Sequence, residues 1–146
     1  MDRKRIWGWW FFDWASQPYH TLLLTFIFST YFAEVAQRHF LQVGDSITLA
    51  GAQAQSLWAY GLSISGIIIA VLSPILGAIA DTSGRRMPWI WLFSVFYIIG
   101  AAGLWYLTPS QPPLIMIVAL FGIGLIGAEF ATTFTNALLP SLAPRD

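Results

Sequence analysis

The stretch LWAYGLSISGIIIAVLSPILGAIA, residues 57–80, decides what kind of protein this is, because its 24 consecutive residues carry no formal charge. At 1.5 Å of rise per residue, a helix needs roughly 20 residues to cross a hydrocarbon core about 30 Å thick. Working outward, two charge-free runs of 20 residues flank it: Trp14–Ala33, bracketed by Asp13 and Glu34, and Pro88–Leu107. A fourth run, Leu114–Leu139, has 26 residues and a single acid, Glu129. The pattern predicts an all-α integral membrane protein with four transmembrane helices over about 14–33, 57–80, 88–107 and 114–139.

Composition points the same way. The 146 residues are 57% hydrophobic and only 10% charged, against about 25% charged in a typical soluble domain. Such a chain is neither a soluble enzyme nor disordered, since disorder needs low hydrophobicity and high net charge. Seven basic and seven acidic residues cancel, so there is no general attraction for nucleic acid. The absence of Cys removes disulfides, thiolate nucleophiles and thiolate metal sites. Neither a metal-ligand spacing, a phosphate-binding loop nor a nucleophile triad is present, so no catalytic residues, metal or cofactor are expected.

The basic residues set the orientation. Met1-Asp2-Arg3-Lys4-Arg5 ahead of an apolar run resembles a secretory signal, but the run is too long and no small-residue cleavage site closes it. With this end in the cytoplasm, Arg3, Lys4, Arg5, Arg85, Arg86 and Arg145 lie inside and Arg38 alone lies outside, as the positive-inside rule requires. All eight Trp lie near proposed span ends, where amphipathic rings settle at the headgroups. Both termini are therefore predicted to be cytoplasmic, with a 23-residue outer loop at 34–56, a seven-residue inner turn at 81–87 and a six-residue outer turn at 108–113. The chain stops abruptly after the fourth run, which suggests truncation.

In the second run, small residues recur at Ala59, Ser63, Gly66, Ala70, Ser73, Gly77 and Ala80, in steps of four and three. They fall on one stripe, where another helix can approach closely inside lipid. The stripe serves either ordinary helix packing, centred on Ser63, Gly66, Ala70 and Ser73, or an interface that moves.

The inner turn reads Gly77-Ala-Ile-Ala-Asp81-Thr82-Ser-Gly84-Arg85-Arg86-Met-Pro88. Gly84 can take the positive φ of a tight turn, and Asp81 and Arg85 can form charge-assisted hydrogen bonds. Any cytoplasmic turn wants a Gly and basic residues, yet this order resembles the signature between helices two and three of the major facilitator superfamily. Gly77, Ala80, Asp81, Gly84, Arg85 and Arg86 match it, while Thr82 stands where that family carries a basic residue. Asp13-Trp-Ala-Ser16, Tyr31-Phe-Ala-Glu34, Gly84-Arg-Arg-Met-Pro-Trp89 and Asn136-Ala-Leu-Leu-Pro140 together resemble the vacuolar-effluxer branch, related to autophagy-linked amino-acid exporters. Gln17-Pro18 departs from the Asn-Ser-Ala type of sequence of that branch, so the first helix is expected to start or bend differently. The resemblance implies a twelve-helix secondary transporter built from three-plus-three repeats, of which residues 1–146 would be a partial N-terminal transmembrane domain, and a conformational latch at Gly77, Asp81, Gly84, Arg85 and Arg86.

Two polar faces are candidates for the substrate or coupling path. Glu129, Thr132, Thr133 and Asn136 share one face of the fourth span, and a carboxylate within a span usually faces a cavity or a partner. The resemblance does not single out an acid at this position, and a structural hydrogen bond to a neighbouring helix is the plainer account. Asp13, Ser16, Gln17 and His20 share a face of the first span. Asp13 has a simple explanation as a solvated helix N-terminus, and His20 reads as a hydrogen-bonded neutral imidazole.

The expected function is transport of small solutes, amino acids first among them, by alternating access across a bacterial inner (plasma) membrane. The expected partners are the lipid bilayer, a small-molecule substrate, and either missing transporter helices or a second copy of the chain. Two alternatives stay open: a self-sufficient four-span proton-coupled exporter acting as a dimer, and a non-transporting membrane assembly subunit.

Overall fold

Pro18 divides the first apolar run. It cannot donate a backbone hydrogen bond and its ring crowds the carbonyl one turn back, and there helix α1 (Arg3–Pro18) gives way to a π-helical stretch, Tyr19–Phe26, before α2 (Phe28–Val43). The wider π frame shows in its bonds: the Ile27 N–H donates to the Leu22 carbonyl at 2.8 Å and the Thr25 hydroxyl to the His20 carbonyl at 2.8 Å, each reaching back five residues. The computed structural model describes residues 3–82 and 84–142, apart from the side chains of Asp81, Ser141 and Leu142.

The remaining elements are α3 (Ile47–Thr82), α4 (Met87–Gly103) with a 3-10 turn at Leu104–Tyr106, α5 (Leu114–Asn136) and the short α6 (Leu139–Leu142). Among the described residues, three helices are long and apolar enough to cross a membrane: Ile47–Ala80, Met87–Tyr106 and Leu114–Asn136. The first expected span, 14–33, is instead shared by the end of α1, the π stretch and α2.

The long outer loop expected at 34–56 is not a loop. α2 continues to Val43 and α3 begins at Ile47, because polar residues in a helical hairpin can stand in water and need not end a helix. The turn between them is tight and built from its own residues. Gly44 adopts φ 109°, its N–H donates to the Leu41 carbonyl, and the Asp45 N–H donates to the Phe40 carbonyl, both at 3.2 Å, the paired bonds of a glycine-terminated helix end. Ser46 then caps α3 by accepting from the Leu49 N–H at 3.3 Å. Ala50 and Ala54 are buried with Val35 and Ala36 of α2, so the hairpin packs through small side chains.

α5 is the axis of the bundle. Gly61 and Ser65 of α3 face Val118 and Gly122 in ascending order, whereas Gly103, Gly100 and Phe93 of α4 face Leu120, Gly124 and Gly127 in descending order. α3 thus runs parallel to α5 and α4 antiparallel to it. Two apolar clusters fill the space between helices. One gathers Phe28, Phe32, Ile117 and Phe121 with Trp58 against them; the other gathers Leu76, Phe93, Phe130 and Phe134 with Trp89.

Apart from Ala80, which is buried in the second cluster, the small-residue stripe of α3 does not make these contacts. Ser63, Gly66 and Ala70 are exposed and Ser73 is half-buried, and a Cβ added at Gly66 or Gly77 would meet nothing within 4 Å. Helix packing within the chain uses the neighbouring face through Gly61 and Ser65, because α5 lies on that side.

Candidate functional site

Each of the two polar faces contributes one residue to a shared site. His20 Nδ1 lies 3.8 Å from Glu129 Oε1, with the side chains 34% and 43% exposed. The pair joins the π stretch to α5 across 109 positions of sequence and stands on a half-open face of the bundle. An imidazole is cationic only when protonated, so the contact is an ion pair in that form alone.

Tyr19 sets the position of His20. Its hydroxyl donates to the Phe121 carbonyl at 2.7 Å, and its ring packs at 5.2 Å from the Tyr97 ring and 5.5 Å from that of Phe121. Gly124 makes this possible, since a Cβ there would sit 2.2 Å from the Tyr19 hydroxyl oxygen. The Tyr97 hydroxyl reaches the Ala15 carbonyl at 3.5 Å, tying α4 to the last turn of α1. Sequence reasoning missed Tyr19, Tyr97 and Gly124. The available signal was the Gly122-x-Gly124-x-x-Gly127 spacing, which in a continuous helix marks close approach of neighbours and not the phosphate-binding turn it imitates.

The other predicted path residues do not converge on the pair. Thr133 donates to the Glu129 carbonyl of its own helix at 2.8 Å, Thr132 is half-buried, and Asn136 is exposed. Gln17 is exposed and borders a shallow hollow with Trp14 and Thr21. Asp13 is half-buried well inside α1, which corrects its reading as a helix N-terminus: α1 starts at Arg3, because the aromatic residues before Asp13 are helical too. The Ser16 hydroxyl bonds the Asp13 carbonyl at 2.9 Å. The π frame starts at Tyr19 and shifts His20 out of the α-helical register of Asp13 and Ser16, which is why the expected face divides.

The inner turn forms a second cluster. Gly84 takes φ 61°, the left-handed turn conformation its place in the motif predicts. Arg86 Nε donates to the Ala80 carbonyl at 3.0 Å, and its Nη1 donates to the Ala137 carbonyl. A single guanidinium therefore caps the C-terminal ends of both α3 and α5, where unpaired carbonyls favour a cation. Arg85 is exposed, Gly77 lies inside α3, and the side chain of Asp81 lies outside the described residues. Arg5 of α1 borders one cavity with Met87 and Leu138, so the start of α1, the inner turn and the end of α5 share one end of the bundle. Arg38 belongs to the α2–α3 hairpin, where it pairs with Glu34.

A family model described as vacuole effluxer Atg22 like matches residues 1–146. Over 137 residues the chain is 27% identical to an uncharacterized MFS-type transporter, YxiO, of Bacillus subtilis, a match covering 94% of this chain and 30% of the relative. The chain thus spans less than a third of the curated relative it matches. No solved structure matches it.

Proposed function

The chain belongs to the vacuole effluxer Atg22-like family, and from that premise we propose that it supplies four membrane spans of a major-facilitator-type secondary transporter, the first four of twelve. The transporter moves small solutes, amino acids foremost, by alternating access, is not an enzyme, and is coupled to protons through His20 and Glu129. Its place is a bacterial inner membrane, with the basic end of the bundle in the cytoplasm. The observation that carries the coupling is the 3.8 Å approach of His20 to Glu129 between the broken first span and α5. A carboxylate on a membrane-crossing helix is costly and usually marks an ion or substrate path. Broken helices near the bilayer midplane are a common element of transporter binding sites.

The test uses protein expressed from its complete reading frame and reconstituted in liposomes loaded with radiolabelled amino acids. A pH gradient should drive release in the wild type. Glu129→Gln and His20→Asn should abolish the gradient-driven component while leaving membrane insertion and gradient-independent exchange in place. Release that keeps its full pH dependence in Glu129→Gln rejects proton coupling at this pair. Failure of every amino acid to move, with intact insertion, rejects the substrate class.

A further inference from the structure

At the basic end of the bundle, Arg5, Trp9 and Phe12 of α1, Trp91 and Ser94 of α4, and Thr135 of α5 line a cavity of about 480 Å³, a volume within the range of small-ligand sites. Two of its lining residues carry polar groups left unsatisfied: the Trp9 indole N–H and the Thr135 hydroxyl are buried with no hydrogen-bond partner among the described residues. Thr135 is only 4% exposed. Leaving such groups unpaired is costly, and both residues border the cavity, so a ligand there reaches them once their side chains rotate toward it.

The surroundings indicate its chemistry. Arg5 at the cavity is accompanied by Arg3 and Lys4, all three exposed at the start of α1, and basic residues beside a membrane span attract anionic headgroups. Trp7, Trp10, Phe11 and Trp14 are exposed on the same helix, the composition of a segment seated at a headgroup layer. Apart from its few polar groups, the lining is apolar.

We infer that this cavity binds an anionic phospholipid. The phosphate accepts from the Trp9 N–H, the Thr135 hydroxyl and the Arg5 guanidinium, and one acyl chain enters along Phe12 and Trp91. This site rests on the membrane reading of the chain and is independent of transport or of His20 and Glu129.

Protein from the complete reading frame, stripped of lipid in detergent, tests it by thermal melting and native mass spectrometry with dioleoyl phosphatidylglycerol, dioleoyl phosphatidylcholine and inorganic phosphate. Phosphatidylglycerol should raise the melting temperature and stay bound, and the other two should not. Trp9→Phe and Thr135→Val should each weaken phosphatidylglycerol binding about tenfold or more, the loss expected for a hydrogen bond to a charged group. Thr135→Ser should retain binding. Removing an unpaired polar group should leave the lipid-free melting temperature unchanged or higher, so the Thr135→Val and Thr135→Ser comparison carries the test even where Trp9→Phe folds poorly. Equal binding of both lipids overturns the inference, and stabilisation by phosphate alone replaces it with a free-anion site. Wild-type lipid binding by Thr135→Val overturns it too, as it would if another segment of the protein fills the cavity.

Discussion

Two helices of this protein are rich in small residues, and they use them in opposite ways. At Gly100 an added Cβ would lie 2.4 Å from the Gly124 backbone, and at Gly127 one would lie 2.5 Å from the Tyr97 backbone nitrogen. At Gly66 and Gly77 on α3 an added Cβ would meet nothing within 4 Å. The α4–α5 pair is therefore already in backbone contact, while the stripe of α3 stands open on the bundle surface from Ala59 to Ala70. Small residues at helical spacing permit close approach, but they do not say which neighbour takes the opportunity.

The comparison is broken most directly at Gly100 or Gly127. Either Gly→Ala change forces α4 away from α5, because backbone cannot rotate aside as a side chain can, and should cost about 3 kcal/mol or more. Equilibrium unfolding in mixed micelles measures it, and wild-type stability in Gly100→Ala would show that α4 and α5 are not in backbone contact.

Arg86→Gln should cost about 1.5–3 kcal/mol, since it removes charge-assisted bonds that hold the ends of α3 and α5 together. Arg86→Lys should recover only part of this, because an ammonium lacks the planar fork that spans two carbonyls. Full recovery by Lys would reduce the contact to simple charge at two helix ends.

A smaller loss, about 0.5–1.5 kcal/mol, is expected for Tyr19→Phe, which deletes one neutral hydrogen bond to the Phe121 carbonyl. Its sharper readout is the His20 imidazole NMR signal, which should broaden or move as the anchor is lost.

Smallest of all is Gly66→Leu on the open stripe, expected within about 0.5 kcal/mol of wild type when residues 1–146 are studied alone. In the protein from the complete reading frame the same change should impair transport if further helices dock there. Unimpaired transport would make the stripe a lipid-facing surface.

The three long apolar helices were legible because the cost of charge in lipid writes itself directly into the sequence at 57–80, 88–107 and 114–139. The Gly84 turn was legible as well, since few residues other than glycine adopt its φ. Polar residues around Gln37 and Gln53 instead looked like loop, although they extend the α2–α3 hairpin, because polarity reports contact with water and not the end of a helix. Pro18 announced a disturbance without saying that the chain would widen into a π frame, an outcome that goes with the anchoring of Tyr19 against α5. Glu129 and His20 each looked unusual alone. Their meeting depends on how two distant elements pack, which no local pattern encodes.

The length of α3 has a mechanical consequence. Its 36 residues, with Pro74 inside the helix, measure about 54 Å, nearly twice the thickness of a hydrocarbon core of about 30 Å. Sealed to α2 by the capped turn at Gly44–Ser46, the far end is the tip of a lever arm, and pivoting α3 by one degree about its opposite end displaces that tip by about 0.9 Å. Rotations too small to resolve among the tightly packed rings around Phe121 are thereby magnified at Ser46, so a distance probe attached there would read the motion of the bundle from outside it.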